Sequence, residues 1–302
     1  MIPDTRLKRL RRSMLFVSAQ RPALLKDAYI YKPDSLLLDL EDAVAENQKD
    51  AARFSLYHAL RTVDFHGVER VVRINGLDTP HWQEDIRVAV AGGADAIRIA
   101  KCEKAEDVRT VVRHIEKAED EFLSEPGSTL VMAALESPLG ILNAYEICTA
   151  CPERMIGVAI AGGDFRKSMQ TRYYPGGLEM LGGRSLMLLA ARAAGVQCFD
   201  TVFTSLEDME GFRAEVEQNK QMGFDGKSLV SPRQIAVVHE VFAPTKTEIA
   251  EAEKIVRVWR ENSANGIGVF AVDGKMIDIA FIPGAERVIM MAKASGLYGG
   301  DL

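Results

Sequence analysis

Residues 130–138 read LVMAALESP: six apolar residues, then Glu136, Ser137 and Pro138. A short run without polar alternation is the pattern of a parallel strand buried on both faces, and the polar tail marks where it ends. The same unit recurs on either side. Downstream lies Ile156–Ala161, followed by Gly162, Gly163 and Asp164. Upstream lie Met14–Val17, Leu36–Leu40, Val71–Ile74 and Ala96–Ala100, and further on Phe199–Phe203 and Lys227–Val230. The gaps carry helical periodicity. Asp50–Arg61 has Ala51, Phe54, Ala59 and Leu60. Ala105–Phe122 places Val108, Val111, Val112, Ile115 and Phe122 on one face. Leu178–Ala194 and Leu206–Met222 read alike. Eight strand–helix units predict an α/β chain folded as a (β/α)8 TIM barrel, with a doubly wound open sheet as the alternative.

The last sixty or so residues differ. Thr245–Asn262 predicts a helix with Ile249, Ala252, Ile255, Val256 and Trp259 at helical spacing, and Gly266 as its C-cap. Gly268–Val272 and Lys275–Ile277 around Asp273-Gly274 predict a hairpin, and Ala285–Ser295 a final helix. The expected organisation is a catalytic barrel over 1–244 and a C-terminal arm over 245–302. The arm would pack on the barrel or on a neighbouring subunit.

Composition excludes several classes. The 37 basic and 43 acidic residues of the 302 give a net charge of −6, which argues against general nucleic-acid binding. The basic cluster Arg6, Lys8, Arg9, Arg11, Arg12 precedes an apolar run too short for a signal peptide, and no run is long enough to span a membrane. A cytoplasmic location is expected. Cys148 and Cys151 form one C-x-x-C without the further ligands a zinc site needs, so Cys102, Cys148, Cys151 and Cys198 read as reduced thiols. Gly223–Ser228 resembles part of a phosphate loop, but Gln221 stands where the motif needs its first glycine. The five histidines show no ligand spacing, and G-x-S-x-G is absent.

In a β/α barrel the chemistry sits where strands end. The second run is followed by Glu41 and Asp42, with Asp39 just inside. The third ends at Arg73-Ile74-Asn75, the fourth at Lys101, the fifth at Glu136, the sixth at Asp164; the seventh contains Asp200 and Thr201, and the eighth leads to Ser231-Pro232-Arg233. Carboxylates and cations converging on one rim suit a divalent metal facing an anionic substrate. Mg²⁺ takes carboxylate oxygens and keeps several waters, so Glu136 and Asp164 would leave room for a bidentate substrate. Arg73 would hold a substrate carboxylate with its planar fork.

The stretches RRSMLFV (11–17), LLLDLEDAV (36–44), VVRIN (71–75), AALESPLGI (133–141), CFDTVF (198–203), GFDGKSLVSPRQI (223–235) and GKMID (274–278) resemble, in order and over nearly the whole chain, the citrate lyase β-subunit group. That group lies within the HpcH/HpaI aldolase family, which includes malyl-CoA and citramalyl-CoA lyases. The resemblance implies a barrel with Mg²⁺ at its C-terminal rim, held by Glu136 and Asp164. It implies Arg73 as the substrate-carboxylate arginine, and Glu41 and Asp42 beside the metal's waters. It also implies Asp278 as an acid/base that reaches a neighbour's site within a homotrimer or hexamer. Three rim positions depart from the pattern. Gly162-Gly163 precede Asp164 where the group has Ala-Glu; Ser18-Ala19 follow Phe16-Val17 where it has Pro-Gly; and Ala100 precedes Lys101 where it has Pro. The loop from Phe165 to Gly177 is also atypical.

The implied reaction is a retro-Claisen cleavage of citryl thioester to oxaloacetate and acetyl thioester. Arg73, Asp278 and Glu41 are the expected catalytic residues. Arg12, Lys101 and Arg233 would meet the phosphates of a carrier, either CoA or acyl carrier protein, the latter with citrate lyase α and γ subunits. The alternatives are a stand-alone citramalyl-CoA or malyl-CoA lyase, and a weakly active scaffold subunit, for which the glycine at 163 is the motive.

Overall fold

The structure, a computed structural model, describes residues 9–264 and 268–302. Gly266, the expected C-cap, and Arg6 and Lys8 of the basic cluster lie outside the described residues. Eight parallel strands close into a barrel in sequence order: β1 Ser13–Ser18, β2 Ser35–Asp39, β3 Glu69–Ile74, β4 Ala96–Ile99, β5 Leu130–Leu135, β6 Met155–Ile160, β7 Gln197–Asp200 and β8 Gly226–Leu229. The main connecting helices are α1 Pro22–Asp27, α2 Lys49–Thr62, α3 Trp82–Gly92, α4 Ala105–Glu121, α5 Pro138–Leu142, α6 Ala144–Cys148, α7 Gly162–Ser168, α8 Leu178–Ala194, α9 Met209–Met222 and α10 Arg233–Phe242.

The strands are apolar throughout because they are covered on both sides. Helices lie outside, and inside Met14, Leu37, Val71, Ala96, Leu130, Met132, Ile156 and Phe199 form one buried cluster. Each large side chain there contributes about 1.5–3 kcal/mol by leaving water. Strand side chains alternate with period two. The inward positions two residues beyond Met14, Leu37, Val71 and Ala96 are Phe16, Asp39, Arg73 and Arg98. The barrel interior therefore changes from apolar to charged within one step toward the C-terminal rim.

The observed boundaries differ from the sequence reading in two informative places. The seventh strand is Gln197–Asp200, so Thr201 to Phe203 already belong to its loop. On α2 the buried face is Ala52, Leu56, Ala59 and Leu60, whereas Ala51 faces solvent and Phe54 is 68% exposed. Phe54 instead packs its ring on His58, one turn along, at 4.3 Å between centroids.

The chain divides into two compact units, one up to His239 and one from Glu240. The second unit holds α11 Lys246–Ala264, an antiparallel hairpin of β9 Val269–Val272 and β10 Lys275–Asp278, and α12 Ile282–Ala294. Thr245 and Glu248 exchange side-chain-to-backbone hydrogen bonds and so cap α11. Asp273 and Gly274 both adopt positive φ (49° and 76°), the two-residue turn that matches strand twist. Ala252, Ile255, Val256, Val272, Ile277, Ile282 and Ile289 form the unit's own core. Among the described residues no helix is long and apolar enough to cross a membrane. All four cysteines are buried and unbridged.

Candidate active site

At the C-terminal rim of the barrel, strand ends enclose a cavity of about 390 Å³ lined by Phe16, Asp39, Asp42, Arg73, Arg98, Glu136, Asp164, Thr201 and Ser228, among others. A second, wider cavity of about 800 Å³ shares Glu136 and Asp164 and carries Lys101, Lys104 and Lys167.

Register positions the charges. Asp39 pairs with Arg73 across β2 and β3, and Arg73 pairs with Arg98 across β3 and β4. Arg73 Nε and Nη2 donate to Asp39 Oδ1 and Oδ2 at 2.7 and 2.6 Å, and its Nη1 lies 2.8 Å from Glu41 Oε2. Asp39 also accepts the backbone N–H groups of Glu41 and Ala43, so one carboxylate both turns the chain after β2 and fixes the arginine fork. Burial alone would lower the pKa of Arg73; Asp39 and Glu41 outweigh it and raise it. Phe16 lies beneath two guanidinium groups, 4.8 Å from Arg73 and 5.5 Å from Arg98, and so restricts both.

The loop after β4 holds the two glutamates. Lys101 sits at φ 50°, a left-handed conformation costly for a residue with a Cβ. There its backbone N–H donates to Glu136 Oε1 at 3.1 Å, and its ammonium lies 2.8 Å from Glu41 Oε1. That pairing lifts the Lys101 pKa to about 12. Glu136 Oε2 is buried with no hydrogen-bond partner. Burial, reinforced by the nearby Glu41, pushes the Glu136 carboxyl up to about 7. The chain turns away after Glu136 because Ser137 caps α5 through Gly140 N–H and Pro138 occupies its first turn. Asp164 is half-buried in the first turn of α7. Gly162, two residues before it, sits close to two side chains: an added Cβ would lie 2.8 Å from Arg166 Nη1 and 2.9 Å from Thr201 Oγ1, which accepts the Gly162 N–H.

The structure thus brings Arg73, Glu41, Asp42, Lys101, Glu136 and Asp164 to one rim. Asp42 is its outermost member, 60% exposed and 4.0 Å from Arg73. Arg12 does not belong there. It precedes β1 and therefore lies at the opposite, N-terminal end of the barrel, where its guanidinium is buried against Asp34 at 2.8 Å. Arg233 begins α10 on the rim side, exposed, 3.3 Å from Glu207. Asp200, expected among the rim residues, is fully buried between Arg184 and Lys227. Asp278 lies in the second unit, ending β10, where its side chain accepts the Ala280 N–H.

Polar residues at strand ends do not lead to Arg98, because the apolar run continues past it through Ile99 and Ala100 and the polar end is Lys101. The only signal of Arg98 is a charge within the otherwise apolar Ala96–Ile99, at the inward register two residues past Ala96. Arg98 is 2% exposed; burial, with Arg73 beside it, lowers its pKa to about 10.

Two carboxylates, one with an orphaned buried oxygen, form a donor set suited to a hard divalent cation that completes its shell with water and substrate. Among the described residues no group of three or more histidine, cysteine or acidic side chains forms a closed metal nest.

A family model described as HpcH/HpaI aldolase/citrate lyase matches residues 12–232, and one described as a C–C bond lyase of the TIM-barrel fold matches residues 183–297. The citrate lyase subunit beta of Leuconostoc mesenteroides subsp. cremoris is 47% identical over 294 residues, 97% of each chain. A (3S)-malyl-CoA thioesterase of Cereibacter sphaeroides is 36% identical over 288 residues, 95% of this chain and 96% of its own. Among solved structures, protein CitE from Mycobacterium tuberculosis in complex with magnesium, acetoacetate and coenzyme A superposes with a TM-score of 0.76 at 28% identity, covering 95% of this chain and 99% of that one.

Proposed function

Since the chain belongs to the HpcH/HpaI aldolase/citrate lyase family of carbon–carbon lyases, we propose that it cleaves citryl thioester to oxaloacetate and an acetyl thioester. The observation that carries this reading is the orphaned Glu136 carboxylate oxygen, which shares a cavity with Asp164 and two arginines. In the reaction the substrate hydroxyl loses its proton, the adjacent carbon–carbon bond breaks, and the departing enolate carbon takes up a proton.

Glu136 and Asp164 would hold Mg²⁺. When bound, that ion supplies Lewis-acid polarisation of the hydroxyl and its neighbouring carboxylate. Asp39 and Glu41 fix the Arg73 fork, which leaves its remaining N–H groups to orient the substrate carboxylate. Glu41, held between Arg73 and Lys101 on the β2 loop, would act from beside the cavity, with Asp42 at the solvent edge. Asp278 of a neighbouring subunit is the proposed acid/base for the enolate carbon, in a homotrimer or hexamer. Lys101, Lys104 and Lys167 around the wider cavity suit the phosphates of CoA or of an acyl carrier protein, the second in an assembly with citrate lyase α and γ subunits. Its four unbridged cysteines fit a cytoplasmic setting.

The second reading is a malyl- or citramalyl-CoA enzyme, favoured by the 36% identity to a malyl-CoA thioesterase. The third is a weakly active scaffold subunit, motivated by Gly163. A Cβ added there meets no atom within 4 Å, so the missing carboxylate reflects no steric exclusion.

The products decide between them. Citryl-, citramalyl- and malyl-CoA, and citryl thioester on acyl carrier protein, are incubated with the protein and Mg²⁺. Oxaloacetate from citryl thioester is expected. Pyruvate or glyoxylate as the preferred product would move the assignment to the second reading, free acid with no oxo acid would make the protein a thioesterase, and no product from any substrate would leave the scaffold.

A further inference from the structure

The active-site cavity holds two guanidinium groups, and the structure accounts for only one of them. Arg73 is clasped by Asp39 and Glu41. Arg98, its register partner on the next strand, makes one hydrogen bond, from Nη1 to Ser228 Oγ at 3.1 Å. Its Nε is buried with no partner. It makes no ion pair among the described residues, yet it is almost fully buried and lines the cavity. Burying a charge without a paired counter-ion is costly, so a side chain kept in that state is poised for an anion that arrives from outside. Asp39, Glu41 and Glu136 lie near enough to favour its charged form without pairing with it. The guanidinium carbon lies over the Phe16 ring, 5.5 Å from its centroid, and both residues line the cavity.

We propose that Arg98 is a specificity-determining residue: it binds the second carboxylate of a dicarboxylic oxo-acid half, in a place where Arg73 and the divalent ion that Glu136 and Asp164 would hold engage the first. The inference rests on the lyase reading above, and it adds which oxo acid the floor of that site selects. An oxo acid with one carboxylate leaves Arg98 unpaired. One with two neutralises it. A site built around a buried polar group discriminates against a ligand that leaves the group unsatisfied far more strongly than an apolar pocket discriminates by size.

The test uses full-length protein and the variants Arg98→Met and Arg98→Lys. Titration calorimetry in Mg²⁺ buffer measures binding of oxaloacetate and of pyruvate, independently of turnover. Wild type is expected to bind oxaloacetate more tightly. Arg98→Met should weaken oxaloacetate by about 100-fold and pyruvate by at most about threefold, consistent with truncating one partner of a buried charge pair. Arg98→Lys, which keeps the charge but loses the fork, should fall between them. In turnover, the citryl over citramalyl ratio of kcat/KM should drop at least about tenfold in Arg98→Met. Methionine in place of an unpaired buried cation should not lower Tm in ligand-free protein, whereas a purely structural arginine would lower it. Equal losses for the two oxo acids, or an unchanged ratio in both variants, would overturn the proposal. If wild type cleaves no thioester but still prefers oxaloacetate through Arg98, the lyase reading fails and the recognition role stands. If Arg98→Met does not fold, the oxaloacetate-to-pyruvate ratio in Arg98→Lys decides.

Discussion

Glu136 is the residue on which the stability of the site and, in the proposed reaction, its chemistry both turn. Its carboxyl, ordinarily near 4.5, is raised to about 7 by burial and by Glu41. A raised folded-state value means the metal-free protein holds this proton more tightly than the unfolded chain does. The stabilisation is therefore complete below about pH 4.5 and is lost as pH rises through about 7, leaving a penalty of up to ~3 kcal/mol at pH 8. Glu136→Gln removes that penalty. In EDTA it should raise the unfolding free energy by about 2–3 kcal/mol at pH 8 and change it little at pH 5, measured by urea denaturation at the two pH values. An equal effect at both would contradict the burial account. Asp164→Asn should keep the fold while reducing turnover by at least about 100-fold, since it removes one of the two proposed metal ligands; circular dichroism and oxo-acid release check the two halves. Glu136 and Asp164 are legible in the sequence because each is a polar residue just beyond an apolar run. Arg73 and Arg98 both lie inside their strands, one residue from the end; Arg73 is legible because it stands beside the Asn75 end of a short run and within the VVRIN resemblance, whereas Arg98 is followed by two more apolar residues, and its inward direction follows from register. Arg12 misleads for the converse reason: a basic residue beside a strand belongs to the rim only if it follows the strand, and Arg12 precedes β1.

At the scale of elements, barrel closure depends on β8 fitting against β1. Lys227 pairs with Ser13 in register, and Gly226 stands at the point of closest approach, where an added Cβ would lie 2.0 Å from the Arg11 carbonyl oxygen and 2.7 Å from that of Arg12. Backbone atoms cannot move aside as a side-chain tip can. Gly226→Ala should therefore cost more than about 3 kcal/mol or give no folded protein, measured by denaturation or by yield of soluble protein. The neighbouring Lys227 is fully buried, 2.7 Å from Asp200 and 2.5 Å from Glu215, with Arg184 completing the cluster. Lys227→Met leaves two carboxylates to share one arginine, and a loss of about 3 kcal/mol is expected; a loss below about 1 kcal/mol would show that the cluster does not need the lysine. These two roles explain a stretch that looks like a fragment of a phosphate loop: the glycine makes room and the lysine neutralises, both inside the barrel wall. The eight strands were readable from apolar runs because a doubly covered strand tolerates little else. The helix faces were less readable. On α2 the small residues Ala51 and Ala52 are adjacent, and which of them is buried depends on packing partners that periodicity does not contain.

At the scale of the whole molecule, the question is how a barrel and a separate C-terminal unit make one enzyme. Asp278 ends a hairpin in the second unit, whereas Arg73, Glu136 and Asp164 belong to the first. A site shared between subunits, as proposed, predicts complementation. Asp278→Asn and Arg73→Ala proteins, each inactive alone, should then regain turnover when their subunits are exchanged, because some mixed sites would receive an intact residue from each chain. Absence of rescue after verified exchange would confine the site to one chain. The resemblance over nearly the whole sequence made the family legible, and the strand-end pattern made the rim legible. The oxo acid leaves no such mark, since the residue proposed to select it, Arg98, is buried within a strand and faces inward.

In the proposed reaction Glu136 and Asp164 serve a divalent-metal-dependent carbon–carbon cleavage in this cavity. The decisive experiment is oxo-acid release from citryl thioester, measured for wild type and Glu136→Gln in Mg²⁺, in EDTA, and after Mg²⁺ is restored. Release by wild type that stops in EDTA and returns with Mg²⁺, together with a fall of at least about 1,000-fold in Glu136→Gln under all three conditions, is the expected result. Undiminished release in EDTA, or a Glu136→Gln protein that matches wild type, would contradict it.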